Sequence, residues 1–229
     1  MSGLYVYALV GCEPGGPLRE EIEGIAGEPL ALVGEGRVRT VAGFLEAPPR
    51  VSAAALAAHN AAVRRLAGLV SAILPARFGQ WLPDEAALRS WISARERDLA
   101  EALAQVEGCV QMTLRVFGEA APSAEPLPAE GMDGPGTRYL EGRLREAVRE
   151  RSLPEIAPLR EALRPLLRAE RIERAGTGKL LATSYDLIGR GESAAYTRIV
   201  EETAPRLAGW RVTASGPWPP YAFGPRWTA

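Results

Sequence analysis

Residues 4–10, LYVYALV, are apolar at every position. Side chains of a strand alternate between its two faces, so a strand with one wet face should alternate apolar and polar residues. This one does not alternate, and it predicts a central strand covered on both sides, in the middle of a sheet.

The elements that follow must supply that cover. After a Gly/Pro-rich loop, EPLALVGEGRVRTVAGFLE contains two strand-like runs around Gly-Glu-Gly, which supplies the positive φ of a tight turn and predicts a β-hairpin. From Ser52, an N-cap candidate, Leu56, Val63, Leu66, Val70 and Ile73 recur at helical spacing and predict a long helix. LPARFGQWL, residues 74–82, reads as a strand with turn signals. A second amphipathic helix follows, capped by Asp84, with Leu88, Trp91, Ile92, Leu99, Leu103 and Val106 as its buried stripe and Gly108 as its stop. In CVQMTLRVFG, Val110, Met112, Leu114 and Val116 alternate with Gln111, Thr113 and Arg115. Strand, hairpin, helix, strand, helix, strand is the order of an α+β sandwich with helices on one face of a mostly antiparallel sheet.

Residues 119–136, EAAPSAEPLPAEGMDGPG, lack any periodic apolar signal and mark a linker. The predicted domains are therefore 1–118 and 137–229. In the second, TRYLEGRLREAVRERSL is a helix with Leu140, Leu144 and Val148 inward, and a further helical segment to about Arg168 is interrupted by Pro158 and Pro165. RIERAGTGKLLATSYDLIG gives two strands around a glycine turn. A helix from Ser193 then presents Tyr196, Ile199, Val200, Thr203 and Leu207, with Pro205 bending or ending it. WRVTASG is the last strand, and it leads into SGPWPPYAF, residues 215–223. The three prolines there remove backbone donors, so the segment is neither a helix nor a full central strand. It is a packed structural tail or a docking surface. No sequence repeat relates the two halves, although both carry elements of ferredoxin-like size.

Composition excludes several function classes. With 27 basic and 28 acidic residues interspersed, the chain lacks the basic excess of a nucleic-acid binder. No apolar run reaches the roughly 18 residues of a membrane span, and the N-terminus has no basic region preceding a signal-like stretch. Cys12 and Cys109 have no pairing pattern and read as reduced core residues of a cytosolic protein. His59 is the sole histidine and falls on the apolar spacing of the first helix, which reads as a structural residue satisfied by local hydrogen bonds. No His/Cys metal cluster, phosphate loop or nucleophile elbow is present: AGTGKLL lacks the upstream glycine of a P-loop, and GRGESA reads as a plain strand-to-helix turn. No catalytic, metal-binding or cofactor-binding residue is assigned. Arg77 stands out because it lies inside the apolar stretch ILPARFGQWL, where an unpaired guanidinium is costly. It predicts a pairing carboxylate, capped carbonyls or an anionic ligand, so a small-ligand-binding or enzymatic α+β protein with an anion site at Arg77 is the rival reading.

HNAAVRRLAGLVSAILPARFGQWLPDEAALRSWI, residues 59–92, and WRVTASGPWPPYAF, residues 210–223, together with LYVYALV and GTRYLEGR, resemble the gas vesicle protein L/F family. The resemblance implies two α+β domains, the C-terminal one ferredoxin-like. It also implies a non-enzymatic, cytoplasmic, vesicle-associated accessory protein without a cofactor. The implied partners are the main hydrophobic shell protein and other accessory proteins of gas vesicle assembly. The family pattern falls on Leu74, Pro75, Arg77, Phe78 and Gly79, and on Gly216, Pro217, Trp218, Pro219, Pro220, Tyr221 and Phe223, as candidate structural or partner-contact residues.

Overall fold

A computed structural model describes residues 3–11, 22–118, 153–175, 178–225 and 227. The chain divides into two compact units: Met1–Gln111 with Trp218–Ala229, and Met112–Pro217. This division differs from the sequence-based boundaries of 1–118 and 137–229. Strand Cys109–Phe117 begins in the first unit and continues into the second, and the tail from Trp218 groups with the first. The linker at 119–136, the helix expected at 137–153 apart from Leu153, and Cys12 lie outside the described residues.

The first unit is built on an antiparallel sheet of β1 (Gly3–Gly11), β2 (Ala31–Val33), β3 (Val38–Leu45), β4 (Ile73–Pro75) and β5 (Trp81–Leu82). Its order is β2-β3-β1-β4, with β5 also paired to β1. The expected hairpin is β2–β3, and Gly34 and Gly36 supply φ of 93° and 88° in its turn. β1 is central and buried from Gly3 to Val10. Its register against β3 slips between Val6 and Ala8, and this bulge brings Tyr5, Tyr7, Ala8 and Val10 into one core with Val41, Val63, Leu66 and Ile73. Leu4 and Ala42, each next in sequence to a member of that core, point the other way and pack with Val33 and Leu88. Helices therefore cover both faces of this sheet, not one: LYVYALV reports the true environment, and the one-sided sandwich does not.

Those helices are α1 (Ala53–Leu69), α2 (Glu85–Ser93) and α3 (Glu96–Val106). Ser52 caps α1, its hydroxyl accepting the Ala55 N–H at 3.1 Å, and Asp84 caps α2, its carboxylate accepting the Ala87 N–H at 2.7 Å. α1 ends before Val70 and Ile73, which the spacing had included, and Ile73 begins β4; Leu56 is exposed. The single second helix is two. Trp91 C=O accepts the Arg95 guanidinium, while the Arg95 N–H turns to Ile92 C=O, so the ladder breaks without proline or glycine. Gly108, at φ 66°, ends the segment as expected.

The second unit carries a sheet of order β7-β8-β6-β9, from β6 (Cys109–Phe117), β7 (Leu167–Arg174), β8 (Leu180–Gly189) and β9 (Arg211–Trp218). With α4 (Ala157–Leu163) before β7 and α5 (Ser193–Thr203) before β9, the described elements of this unit are consistent with the β-α-β-β-α-β order of ferredoxin-like units. α4 packs on α5, and Leu159 and Leu163 of the first and Tyr196 and Val200 of the second are buried. Pro158 falls in the first turn of α4, where a proline is tolerated, so it does not interrupt the helix. Gln111 and Thr113, expected on a polar face of β6, are both buried. β9 is an edge strand, which accommodates Pro217.

Candidate interaction site

Of the two sequence blocks that stood out, LPARFG and the Trp218–Phe223 part of GPWPPYAF meet in the first unit, while Gly216 and Pro217 belong to the second. The segment Ile73–Leu82 runs antiparallel to β1 in two short strands: Ile73, Leu74 and Pro75 lie opposite Val10, Leu9 and Ala8, and Trp81 and Leu82 lie opposite Tyr5 and Leu4. Between them Ala76–Gln80 forms a turn with Gly79 at φ 94°, a conformation that strains any residue with a Cβ. Phe78 turns partly inward, toward the rings of Tyr5 and His59 at 6.0 and 5.8 Å.

Buried hydrogen bonds fix this turn. His59 Nε2 lies 3.0 Å from Ala76 C=O, and a carbonyl only accepts, so Nε2 carries the hydrogen. Burial holds the imidazole below its usual pKa, hence neutral, which leaves Nδ1 to accept the Tyr5 hydroxyl at 3.0 Å. The Tyr5 oxygen in turn accepts the Gly79 N–H at 3.2 Å. Burial pushes the Tyr5 phenol up to about 12, so it stays protonated and able to donate. His59 is thus buried and hydrogen-bonded, but its partners lie 54 and 17 residues along the chain and are not the local ones that its spacing predicts.

Tyr7 stacks on His59 at 5.3 Å and donates to Glu28 Oε1 at 2.6 Å. Glu28 Oε2 accepts the Ala26 N–H, and the Tyr7 oxygen accepts the Ile25 N–H. Two glycines make room for this carboxylate. A Cβ on Gly24 would stand 2.0 Å from Glu28 Oε1, and one on Gly43 would stand 2.6 Å from its Cγ.

The tail packs on the same elements. Trp218 receives Arg64 of α1 over its ring at 5.5 Å, Pro219 and Pro220 are buried, and Tyr221–Phe223 form a 3-10 turn with Phe223 buried. The Tyr221 hydroxyl reaches Asn60 Oδ1 at 3.4 Å, and Gln111 Oε1 accepts the Ala222 N–H at 2.8 Å. A Cβ on Gly224 would stand 3.0 Å from Pro75 C=O, which shows how closely tail and LPARFG block pack. Beyond them Trp227 stacks on Trp91 of α2 at 4.1 Å. Asn60, Gln111 and Glu28 carried no sequence signal; each is an isolated polar residue whose partner is distant in the chain.

Of the twelve motif positions, Leu74, Pro75, Pro219, Pro220 and Phe223 are buried, and Phe78, Trp218 and Tyr221 are half-buried. Arg77, Gly79, Gly216 and Pro217 are exposed. Arg77 thus corrects its sequence reading. It is solvated, makes no hydrogen bond or ion pair with any described residue, and incurs no burial cost that an internal anion would have to offset. Elsewhere in this unit an open recess of about 560 Å³ is lined by Ile25, Phe44, Leu45, Pro49 and Ala55, among others. Phe44 is 47% exposed, and Val51 and Leu56, beside lining residues, are 78% and 44% exposed.

In the second unit the buried polar centre is Asp186. Tyr196 and Ser184 donate to its two oxygens, and Ser184 Oγ also lies 3.3 Å from Glu170, which Arg160 holds in a two-pronged ion pair. Burial raises the Asp186 pKa, against the lowering effect of its two hydroxyl donors. Among the described residues no group of three or more His, Cys, Asp or Glu side chains is placed to hold a metal ion, and no helix is long and apolar enough to cross a membrane.

The fold is that of solved gas vesicle proteins. GvpF from Anabaena sp. PCC7120 superposes with a TM-score of 0.73 at 16% identity, covering 98% of this chain and 97% of that one. GvpF from Microcystis aeruginosa superposes with a TM-score of 0.69 at 16% identity, covering 96% and 98%. The model of the family "Gas vesicle synthesis protein GvpL/GvpF" matches residues 3–225, and the chain belongs to that family of gas vesicle accessory proteins. A relative, gas vesicle protein L of Streptomyces sp. (strain CB03234), is 29% identical over 96% of this chain and 91% of its own length.

Proposed function

We propose that the protein is a non-enzymatic assembly factor of the gas vesicle, acting in the cytoplasm and at the growing vesicle, which binds the main hydrophobic shell protein and other accessory proteins. Family membership supports the vesicle role. The observation that carries shell binding is the exposure of three large apolar side chains, Phe44 lining the recess and Val51 and Leu56 next in sequence to its lining residues Arg50 and Ala55, which offer an aggregation-prone subunit a place to rest. The GPWPPYAF tail acts mainly as a clamp, because Pro219, Pro220 and Phe223 are already occupied by the protein's own core.

Co-expression with the main shell protein of the same genome, followed by affinity capture at low and high salt, tests this. Retention that survives high salt is expected, since apolar contact is not screened. The triple variant Phe44→Ser, Val51→Ser, Leu56→Ser should lose most of that retention with its melting temperature unchanged. Absence of any retained shell or accessory protein would remove the reading.

A further inference from the structure

Arg77 is the only charged residue between Arg65 and Asp84. It stands on a turn whose backbone is pinned at both sides. Ala76 C=O is held by His59 and Gly79 N–H by the Tyr5 hydroxyl, while Ala76 N–H donates to Tyr7 C=O and Val6 N–H to Gln80 C=O. Gly79 in the left-handed region completes the turn. The arrangement commits a buried histidine and a buried phenol, both held uncharged, to a five-residue turn of which Arg77 and Gly79 are the exposed members. What the pinned backbone presents to solvent is one guanidinium with no hydrogen-bond or ion-pair partner among the described residues. Pre-set geometry lowers the ordering cost of a directional contact and is of little use to an undirected one.

We propose that Arg77 is the recognition residue of this turn and takes a carboxylate of the shell protein in a two-pronged hydrogen bond. The guanidinium fork matches a carboxylate, and a protein partner is favoured over nucleic acid because one isolated cation on a chain of net charge −1 does not neutralise a run of phosphates. Tyr5 and His59 act as positioning residues, through Gly79 and Ala76. This inference rests on the shell-binding reading above.

The test compares wild type with Arg77→Ala, Arg77→Lys and Arg77→Glu in the same capture, followed by titration of the shell protein at two salt concentrations. Melting temperatures should be unchanged, because the side chain is exposed. Arg77→Ala should weaken binding about ten- to a hundredfold and Arg77→Glu further, with Arg77→Lys recovering part. The gap between wild type and Arg77→Ala should narrow as salt rises. In a Tyr5→Phe background, where the turn loses its Gly79 pin, the loss caused by Arg77→Ala should shrink, a coupling that a merely solvating arginine would not show. Wild-type retention with equal binding by Arg77→Ala overturns this inference and leaves the shell-binding reading standing. If the wild type itself retains no vesicle protein, both fall together.

Discussion

The two units use one strand order for different ends. Numbered within each unit, both sheets run second, third, first, fourth: β2-β3-β1-β4 and β7-β8-β6-β9. In both, the helix after the third strand buries a polar ring, His59 on α1 and Tyr196 on α5. Those rings have opposite surroundings. His59 is held neutral, and its hydrogen bonds lead outward to a surface turn. Tyr196 donates to a carboxylate 2% exposed, whose neighbours are a serine and the Glu170–Arg160 pair of the same unit. All four exposed large apolar side chains among the described residues, Phe44, Val51, Leu56 and Leu69, also belong to the first unit. Topology thus settles where a helix meets a sheet, and the side chains at that meeting decide whether polar connections stay inside or reach the surface.

The sharpest way to break the comparison is the tail, which follows the second unit in sequence yet packs with the first. Phe223→Ala removes a buried ring beside β4 and should destabilise by about 3–5 kcal/mol in urea unfolding. The loss should be uneven. Amide exchange should quicken in β1 and α1 more than in β8 and α5; the reverse pattern would assign the tail to the second unit.

That assignment marks how far the sequence could be read. The hairpin, the caps at Ser52 and Asp84, the stop at Gly108 and the start of the helix at Ser193 were all legible, because each depends on a few neighbouring residues. The break at Arg95 was not, since it turns on a side chain displacing its own backbone N–H from a carbonyl. Gln111 looked like a surface residue by alternation, and Arg77 looked buried among apolar neighbours. Both were misread for one reason: the partner or solvent that settles each lies across the fold, where local pattern has no reach. The motif blocks were visible as composition, but their meeting on β1 and α1 was not.

A smaller effect sharpens the contrast between the two polar centres. Asp186→Ala leaves the Tyr196 hydroxyl and Ser184 without their acceptor and should cost about 1–3 kcal/mol. Asp186→Asn keeps an acceptor for Tyr196 and gains a donor toward Ser184, whose own hydroxyl can then turn to Glu170. It should match or exceed the wild type at neutral pH. If it is as damaging as alanine, the negative charge itself is required and the second centre is more strictly ionic than its burial implies.

The smallest effect separates the units by the sign of their response to acid. His59 has its pKa lowered by folding, so below its ordinary value near 6.5 the unfolded chain binds the proton more readily. Its contribution is present above that pH and is lost as pH falls, at up to about 1.4 kcal/mol per pH unit for one proton. Asp186 has its pKa raised, chiefly by burial with Glu170 adding, so the folded state holds the proton more tightly. Its contribution declines as pH rises from the ordinary 3.8 through the raised value, and it opposes the His59 trend where their windows overlap. Exchange protection followed from pH 7.5 to 5, corrected for intrinsic rates, should therefore weaken in β1 and α1 while holding or strengthening in β8 and α5. His59→Gln should flatten the first trend and Asp186→Asn the second. A common slope in both units, unmoved by either variant, would mean that the two centres share their electrostatics as well as their topology.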